Sequence, residues 1–329
     1  MRSCLVLRSS FGFNRAAYMR DLKEARSHPE LYWGERARAI EWATPPVQCV
    51  PRGDSLSWFP GGRLNTTHLA IDAHVAAARG GLEAVRFESL VTQEKRAVTY
   101  AELQRLTSSF ARVLQSRKVQ SGQPVMLYMP TLPEAVVALL GAARIGAPHC
   151  VVFAGFAAAQ LASRIDHVRP AVLVTCDYAL EAHKKVELLP LVRQALQLAQ
   201  HRPQVIVLNR GGERDGTFGD FDSEMRAVVK EALLPPTVVP AAHPLYFLHT
   251  SGTTGAPKAL VREHGSHAVA LRAAAHDVMG LGPGQVMWAA SDIGWVVGHS
   301  FSVYGPLLSG ATSLLVEGKP VGTLDHLEW

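Results

Sequence analysis

The sequence predicts an α/β protein built from stacked, mostly parallel sheets with helices on both faces. From residue 98 onward, short apolar runs alternate with stretches of helical length, the pattern of strand–helix–strand units. Several of these runs, such as Pro124-Val-Met-Leu-Tyr-Met129 and the Val205-Ile-Val-Leu208 that follows Gln204, do not alternate with polar residues. That is how strands covered on both faces read. Glycine-bearing turns follow two of the runs, where the backbone must reverse tightly.

In chain order, residues 21–47 are charged and lead to a turn-rich stretch, Ser57-Trp-Phe-Pro-Gly-Gly-Arg-Leu-Asn65. Val98-Thr99-Tyr100 opens an amphipathic helix to about Arg117, and a buried strand over 124–129 precedes a helix from about Pro133 to Ile145. Val151-Val-Phe153 is followed by a glycine turn and a helix to Ile165. Strands at Ala171–Thr175 and Gln204–Leu208 have a helix between them. Residues 210–243, rich in Gly and Pro, are expected as a surface excursion. Beyond it come an apolar strand over 245–249, a helix from about His264 to Met279, and strands at Gln285–Ala289 and Thr312–Val316. The expected division is 1–20 as an N-terminal arm, 21–97 as an N-terminal segment, 98–209 and 244–329 as two α/β subdomains of one large domain, with 210–243 as the seam.

A composition of 48% hydrophobic and 19% charged residues describes a globular chain, and no apolar run reaches the length of a membrane span. Cys4, Cys49, Cys150 and Cys176 show no C-x-x-C spacing, which argues against a zinc site or a disulfide framework. The net charge of +5 is concentrated in the first twenty residues, where Arg2, Arg8, Arg15 and Arg20 stand without an acid. The rest is near neutral, so nucleic-acid binding has no electrostatic support. With Ser3, Ser9 and Ser10 among apolar residues, residues 1–20 read as a mitochondrial presequence directing the protein to the matrix; the alternatives are a plain basic arm and a cytoplasmic location.

The chemistry concentrates in Thr250-Ser-Gly-Thr-Thr-Gly-Ala-Pro-Lys-Ala259, directly after an apolar strand. Gly252 and Gly255 let backbone N–H groups approach an anion, Ser251, Thr253 and Thr254 add hydroxyl donors, and Lys258 adds a point charge. This is a cradle for phosphate. It is not a Walker loop, because its glycines are only three apart and Pro257 precedes the lysine. On composition alone a flexible Gly/Ser/Thr linker would be the plainer reading.

A second run, Ser291-Asp-Ile-Gly-Trp-Val-Val-Gly-His-Ser300, follows a strand and sits where open α/β sheets bind ligands. Trp295 offers a flat apolar wall, and Gly298 leaves backbone room beside it. Two readings stay open at this level: ligand contact, or Asp292 capping a turn and His299 satisfying a buried partner.

The order of residues in the 250–259 run resembles the nucleotide-phosphate loop of the AMP-forming acyl-adenylating enzymes. The 291–300 run, Glu317-Gly-Lys-Pro-Val-Gly322, Tyr32-Trp-Gly-Glu35 and Leu64-Asn65 are similar to the short-chain acyl-CoA synthetase branch, which includes acetyl- and propionyl-CoA synthetases. The likeness runs from about residue 21 to about residue 323. It implies the following. Thr250, Ser251, Gly252, Thr253, Thr254, Gly255 and Lys258 would hold the ATP phosphates, with Mg²⁺ bridging them. Phe153, Ala154 and Gly155, with Glu181, Ala182, His183 and Lys184, would lie along CoA. Trp295, Val297 and Gly298 would line the channel for the acyl group and the pantetheine arm.

The implied activity is ATP-dependent ligation of a short carboxylate, propionate or acetate, to CoA. Departures from the family pattern are Ala259 and Ala154 where glycine is usual, His249 where tyrosine is frequent, and Lys184 where arginine is usual. Lysine there keeps the charge but loses the bidentate fork. The final residues, Leu324-Asp-His-Leu-Glu-Trp329, also drift from the family pattern. The family's adenine loop, ribose-binding aspartate, hinge, small C-terminal domain and catalytic lysine come after the residues matched. The resemblance places that lysine beyond Trp329 and so assigns no catalytic side chain within residues 1–329. It therefore implies a partial large domain, and the alternative to the ligase is a catalytically incomplete form that binds nucleotide, CoA or a partner subunit.

Overall fold

A computed structural model describes residues 15–51, 57–181, 184–212, 216–250 and 258–318. Two helices open it, α1 (Arg15–Ser27) and α2 (Pro29–Arg38), followed by the short strand β1 (Arg63–Leu64). β2 (Glu83–Ser89) and β3 (Lys95–Thr99) form an antiparallel pair. α3 (Tyr100–Ser116) starts where the sequence predicts, because Thr99 and Glu102 close a reciprocal capping box over its first turn. Its apolar face, including Leu103, Phe110, Val113 and Leu114, is buried. β4 (Val125–Tyr128) is buried at every position, and α4 (Pro133–Arg144) begins with a proline whose missing N–H costs nothing there.

β5 (His149–Val151), α5 (Ala158–Val168) and β6 (Val172–Cys176) continue the alternation. A hairpin of β7 (Tyr178–Glu181) and β8 (Lys184–Glu187), not expected from the sequence, stands between β6 and α6 (Leu188–Leu198). β9 (Gln204–Leu208), β10 (Gly219–Asp220), α7 (Phe221–Val228) and β11 (Val239–Pro240) follow. Then come β12 (Pro244–Thr250), β13 (Lys258–Glu263), α8 (His264–Ala273), β14 (Val286–Trp288) and β15 (Thr312–Glu317). A helical segment over 296–308 links the last two strands, opening with α9 (Val296–His299).

The main sheet has seven strands in the order β10-β9-β6-β4-β5-β12-β13, parallel except for β13. A second sheet of four, β14-β15-β2-β3, is parallel except for β3. This is the α/β architecture expected, with the strands shared differently. β12 and β13, placed beyond the 210–243 seam, join the sheet of β4–β6, and β2 and β3 from the N-terminal segment join β15. The 210–243 stretch, expected at the surface, also contributes buried groups: Phe221 stacks on Phe110 with ring centroids 5.3 Å apart, and β10 extends the main sheet.

Arg144, at the end of α4, fastens three parts of the chain. Its guanidinium donates to both oxygens of Asp72 at 2.8 Å, its Nε donates to the Leu234 carbonyl, and its own carbonyl accepts from Thr237 N–H. The Arg144 side chain is 1% exposed and that of Asp72 12%, so losing the arginine leaves a mostly covered carboxylate without its cation, with Gln104 as its remaining donor. Nearby, Asn65 donates to the carbonyls of Ala143 and Thr237 and accepts from Thr67 N–H. Replacing Arg144 with Met should lower stability by about 3–5 kcal/mol. Urea-induced unfolding followed by circular dichroism measures it, and a loss below about 1 kcal/mol would mean that the pair is screened like a surface ion pair.

Candidate functional site at the carboxyl ends of the strands

A cavity of about 480 Å³ opens between the two sheets. Its wall includes Thr131 after β4, Phe153 and Ala154 after β5, Trp295 before α9, Leu180 of the β7–β8 hairpin, and Glu317 at the end of β15. These are the carboxyl ends of parallel strands, the place where open α/β sheets present loops to a ligand. Phe153 and Phe156 meet edge to face at 5.7 Å, and Trp295 lies 6.1 Å from Phe153 and 6.4 Å from Phe156. Trp295 remains 46% exposed, so an apolar face stays available at the mouth.

The turn that carries Trp295 is held from three sides. Asp292 Oδ1 accepts from Gly294 N–H at 2.7 Å, and its Oδ2 accepts from the Thr131 hydroxyl at 3.1 Å. A Cβ added to Gly298 would stand 2.1 Å from the Asp292 carbonyl oxygen, so the helix start can approach this turn only without a side chain. Below it, His299 Nδ1 lies 3.0 Å from the Ile293 carbonyl and His299 Nε2 lies 2.9 Å from His149 Nε2. A carbonyl only accepts, so Nδ1 of His299 carries the proton. Burial pushes the His299 pKa down to about 4, and burial together with neighbouring His299 holds His149 well below the usual histidine range. Both rings are therefore neutral, His299 Nε2 is bare, and His149 donates to it.

The expected site residues separate into groups. Phe153, Ala154 and Trp295 come together in the cavity wall. Gly155 is exposed beside them in the 153–156 turn, where Phe156 N–H donates to the Phe153 carbonyl. Val297 is 51% exposed on the helix start, outside the cavity lining, and Gly298 packs against Asp292 instead of leaving room beside Trp295. Glu181 pairs in register with Lys184, which is exposed, while Ala182 and His183 lie outside the described residues. Thr250 ends β12 and pairs with Lys258, the first residue of β13, so the two bracket residues 251–257, which hold Ser251, Gly252, Thr253, Thr254 and Gly255 and lie outside the described residues. Because Phe247 is level with Cys150 in the parallel pairing of β12 and β5, Thr250 at the end of β12 lies at the same end of the sheet as Phe153. Trp329, beyond which the resemblance sets the family's catalytic lysine, lies outside the described residues together with 319–328, so the second subdomain expected over 244–329 is described only to residue 318.

Sequence reasoning missed Thr131, Leu180 and the pair of Arg210 with Glu317. Arg210 follows β9, its Nη1 lies 2.7 Å from Glu317 Oε1, and its guanidinium rests 4.8 Å from the Tyr178 ring. The ion pair with Glu317 holds the Arg210 pKa above its ordinary value against the opposing effect of burial, the largest single influence on the group. Inspecting every residue just past a predicted strand would have found Thr131 and Arg210. Among the described residues no group of three His, Cys, Asp or Glu side chains could hold a metal ion.

Comparison with known proteins matches this geometry. Residues 73–328 match the AMP-binding enzyme family, and residues 18–70 match the acetyl-coenzyme A synthetase N-terminus. The chain belongs to the AMP-binding enzyme family. It is 41% identical to acyl-CoA synthetase short-chain family member 3, mitochondrial, of Bos taurus, over 98% of this chain and 47% of the relative. The human protein of the same name is also 41% identical, over 98% and 48%. Acetyl-coenzyme A synthetase of Beijerinckia indica is 38% identical over 93% of this chain and 49% of the relative. Among solved structures, acetoacetyl-CoA synthetase from Streptomyces lividans superposes with a TM-score of 0.84 at 27% identity, covering 98% of this chain and 49% of that one. The chain spans about half the length of the curated relatives it matches.

Replacing Gly298 with Ala should cost about 1–3 kcal/mol, the range for forcing atoms into a packed site. Val297→Thr, on an exposed position, should stay within about 0.5 kcal/mol of the parent. Thermal unfolding of the two variants side by side measures the contrast, and equal midpoints would contradict the clamped turn.

Proposed function

We propose that the protein is an ATP-dependent ligase that joins a short carboxylic acid, propionate or acetate, to CoA through an acyl-adenylate. The observation that supports this reading is the family match over residues 73–328 combined with a cavity at the carboxyl ends of the parallel strands, the end of the main sheet at which β12 reaches Thr250. Thr250, Ser251, Gly252, Thr253, Thr254, Gly255 and Lys258 would hold the β- and γ-phosphates of ATP. The carboxylate attacks the α-phosphorus, pyrophosphate leaves, and the CoA thiol then displaces AMP from the acyl-adenylate. Positioning the acid in line with the leaving pyrophosphate is the protein's main task here.

Mg²⁺ would travel with the phosphates, which suits an ion that keeps much of its water and needs few protein ligands. CoA would lie along Phe153, Ala154 and Gly155, with Lys184 of the neighbouring hairpin as a point charge for its phosphate. The Phe153–Phe156–Trp295 cluster supplies the apolar wall for the acyl group and pantetheine arm. Discrimination between propionate and acetate is modest, since one methylene in a pocket is worth ~1–3 kcal/mol. The names of the relatives from Bos taurus and Homo sapiens support a mitochondrial location. Residues 1–20 would act as the presequence, and sequencing the mature N-terminus from isolated mitochondria distinguishes this from an intact cytosolic chain.

A second reading is favoured by the share of the relatives that the chain spans: a module that binds nucleotide or CoA without turnover. Acid-dependent exchange of labelled pyrophosphate into ATP separates the two. It should be measured with propionate and acetate on the 329-residue chain and on the same chain continued past Trp329 to the length of its relatives. The ligase reading predicts exchange in the longer chain that Lys258→Ala abolishes while the unfolding midpoint stays unchanged. Exchange by the 329-residue chain alone would refute the second reading. No exchange with either acid in either chain would refute the first.

A further inference from the structure

A second cavity, of about 380 Å³, is lined by residues of α2, β12 and α8 and, among the described residues, shares none of its lining with the first. One wall is aromatic: Trp33 of α2 and Trp58, which meet edge to face at 5.8 Å, with Phe59 behind them. The opposite wall is α8, which presents Ser266 and His267, and Tyr246 of β12 and Ser300 complete the lining. Arg262 stands exposed at the rim.

The chemistry of this lining is one-sided. Flat apolar faces occupy one wall, while Ser300 and Arg262 contribute a hydroxyl and a guanidinium and the Ser266 hydroxyl donates to Glu263 beside the cavity; none of the described lining residues is an acid. His267 is buried, held edge-on against Tyr246 at 5.0 Å and Tyr304 at 5.1 Å, and neither ring nitrogen has a hydrogen-bond partner among the described residues. His267 thus leaves polar capacity in the wall unused, and the single formal charge among the described lining residues is positive. A cation is excluded by Arg262, and a flexible aliphatic chain would leave the aromatic faces poorly matched. A planar ring satisfies them by offset or edge contacts, and a carboxylate on that ring meets the guanidinium and hydroxyl donors with charge-assisted hydrogen bonds.

We propose that this cavity between α2, α8 and β12 is a binding site for a small aromatic carboxylate, separate from the cavity at the carboxyl ends of the strands. The ring sits against Trp33 and Trp58, and the carboxylate faces Arg262.

Isothermal titration calorimetry of the purified 329-residue chain with naphthalene-2-carboxylate tests it. The expected result is saturable one-to-one binding that Arg262→Gln weakens about tenfold or more, with naphthalene-2-carboxamide weaker by a similar factor. Trp58→Leu should abolish binding in a chain whose circular dichroism is unchanged, and saturating ATP should leave the affinity unaltered. Absence of saturable binding up to millimolar ligand, equal affinity for acid and amide, or an unchanged affinity in the exposed-rim variant Arg262→Gln would each overturn the proposal. Competition by ATP would overturn the separateness of the site. Should Trp58→Leu fail to fold, the amide and Arg262→Gln comparisons decide alone.

Discussion

The hydrogen bond between the imidazoles of His149 and His299 is the constraint on which the site's geometry depends. His149 opens β5, near the middle of the main sheet, and His299 ends the first turn of the helical segment that leads to β15. Their Nε2 atoms lie 2.9 Å apart in a place where neither ring is exposed. Only one arrangement of protons satisfies the contacts: His299 donates from Nδ1 to Ile293, and His149 donates to His299. A proton added to His299 Nε2 would put two donors face to face, and one added to His149 Nδ1 would place a charge beside no hydrogen-bond partner among the described residues, in an environment that already disfavours charge. The link therefore holds only while His299 is neutral, and it couples the 291–295 turn to the strand that precedes Phe153.

From that link the cavity follows. With Ile293 anchored below and Asp292 tied to Thr131, Trp295 is directed across to Phe153 and Phe156 without being packed away. Gly298 lets the helix start seat against the turn. On the opposite side, Arg210 reaches from the end of β9 to Glu317 at the end of β15, so the two sheets are tied at their carboxyl ends by an ion pair as well as by packing. The site is assembled from the ends of β4, β5, β9 and β15, which are remote in sequence and adjacent only because the sheets place them so.

What the sequence disclosed and what it withheld have the same physical origin. α3 and α4 were legible because their limits are local: a Thr99–Glu102 box, a first-turn proline, and apolar residues at helical spacing. The buried strands β4, β6 and β9 were legible because they are apolar on both faces. Strand partnership was not, since β2 with β15 and β5 with β12 are pairings across long sequence separations that no local pattern encodes. The hairpin over 178–187 was hidden because its residues are mixed in polarity and it packs on one side only. Of the expected site residues, Trp295 was singled out as an aromatic beside a strand end, whereas Phe153 and Ala154 came only from the family resemblance; all three line the cavity. Gly298 was expected to leave room beside Trp295, and the neighbour it packs against instead, the Asp292 carbonyl, is visible only in three dimensions. Thr131 and Arg210 act through partners more than a hundred residues away, which composition and spacing do not report.

The neutral pair predicts a definite titration. An unfolded histidine takes up a proton near its ordinary pKa of about 6.5, whereas folded His299 does so only as the pH falls towards about 4. The unfolded chain thus binds protons first, and the stability that the pair contributes is complete above pH ~6.5 and is lost as the pH falls below that value. The most direct measurement is a ¹⁵N-edited imidazole spectrum of the protein labelled in histidine, recorded from pH 7.5 down to the onset of unfolding, with His149→Gln and His299→Gln used for assignment. The account predicts that His299 shows the Nδ1–H tautomer, His149 the Nε2–H tautomer, and that neither titrates in the ordinary histidine range. A His299 resonance that titrates near its ordinary pKa, or that shows the Nε2–H tautomer, would contradict it.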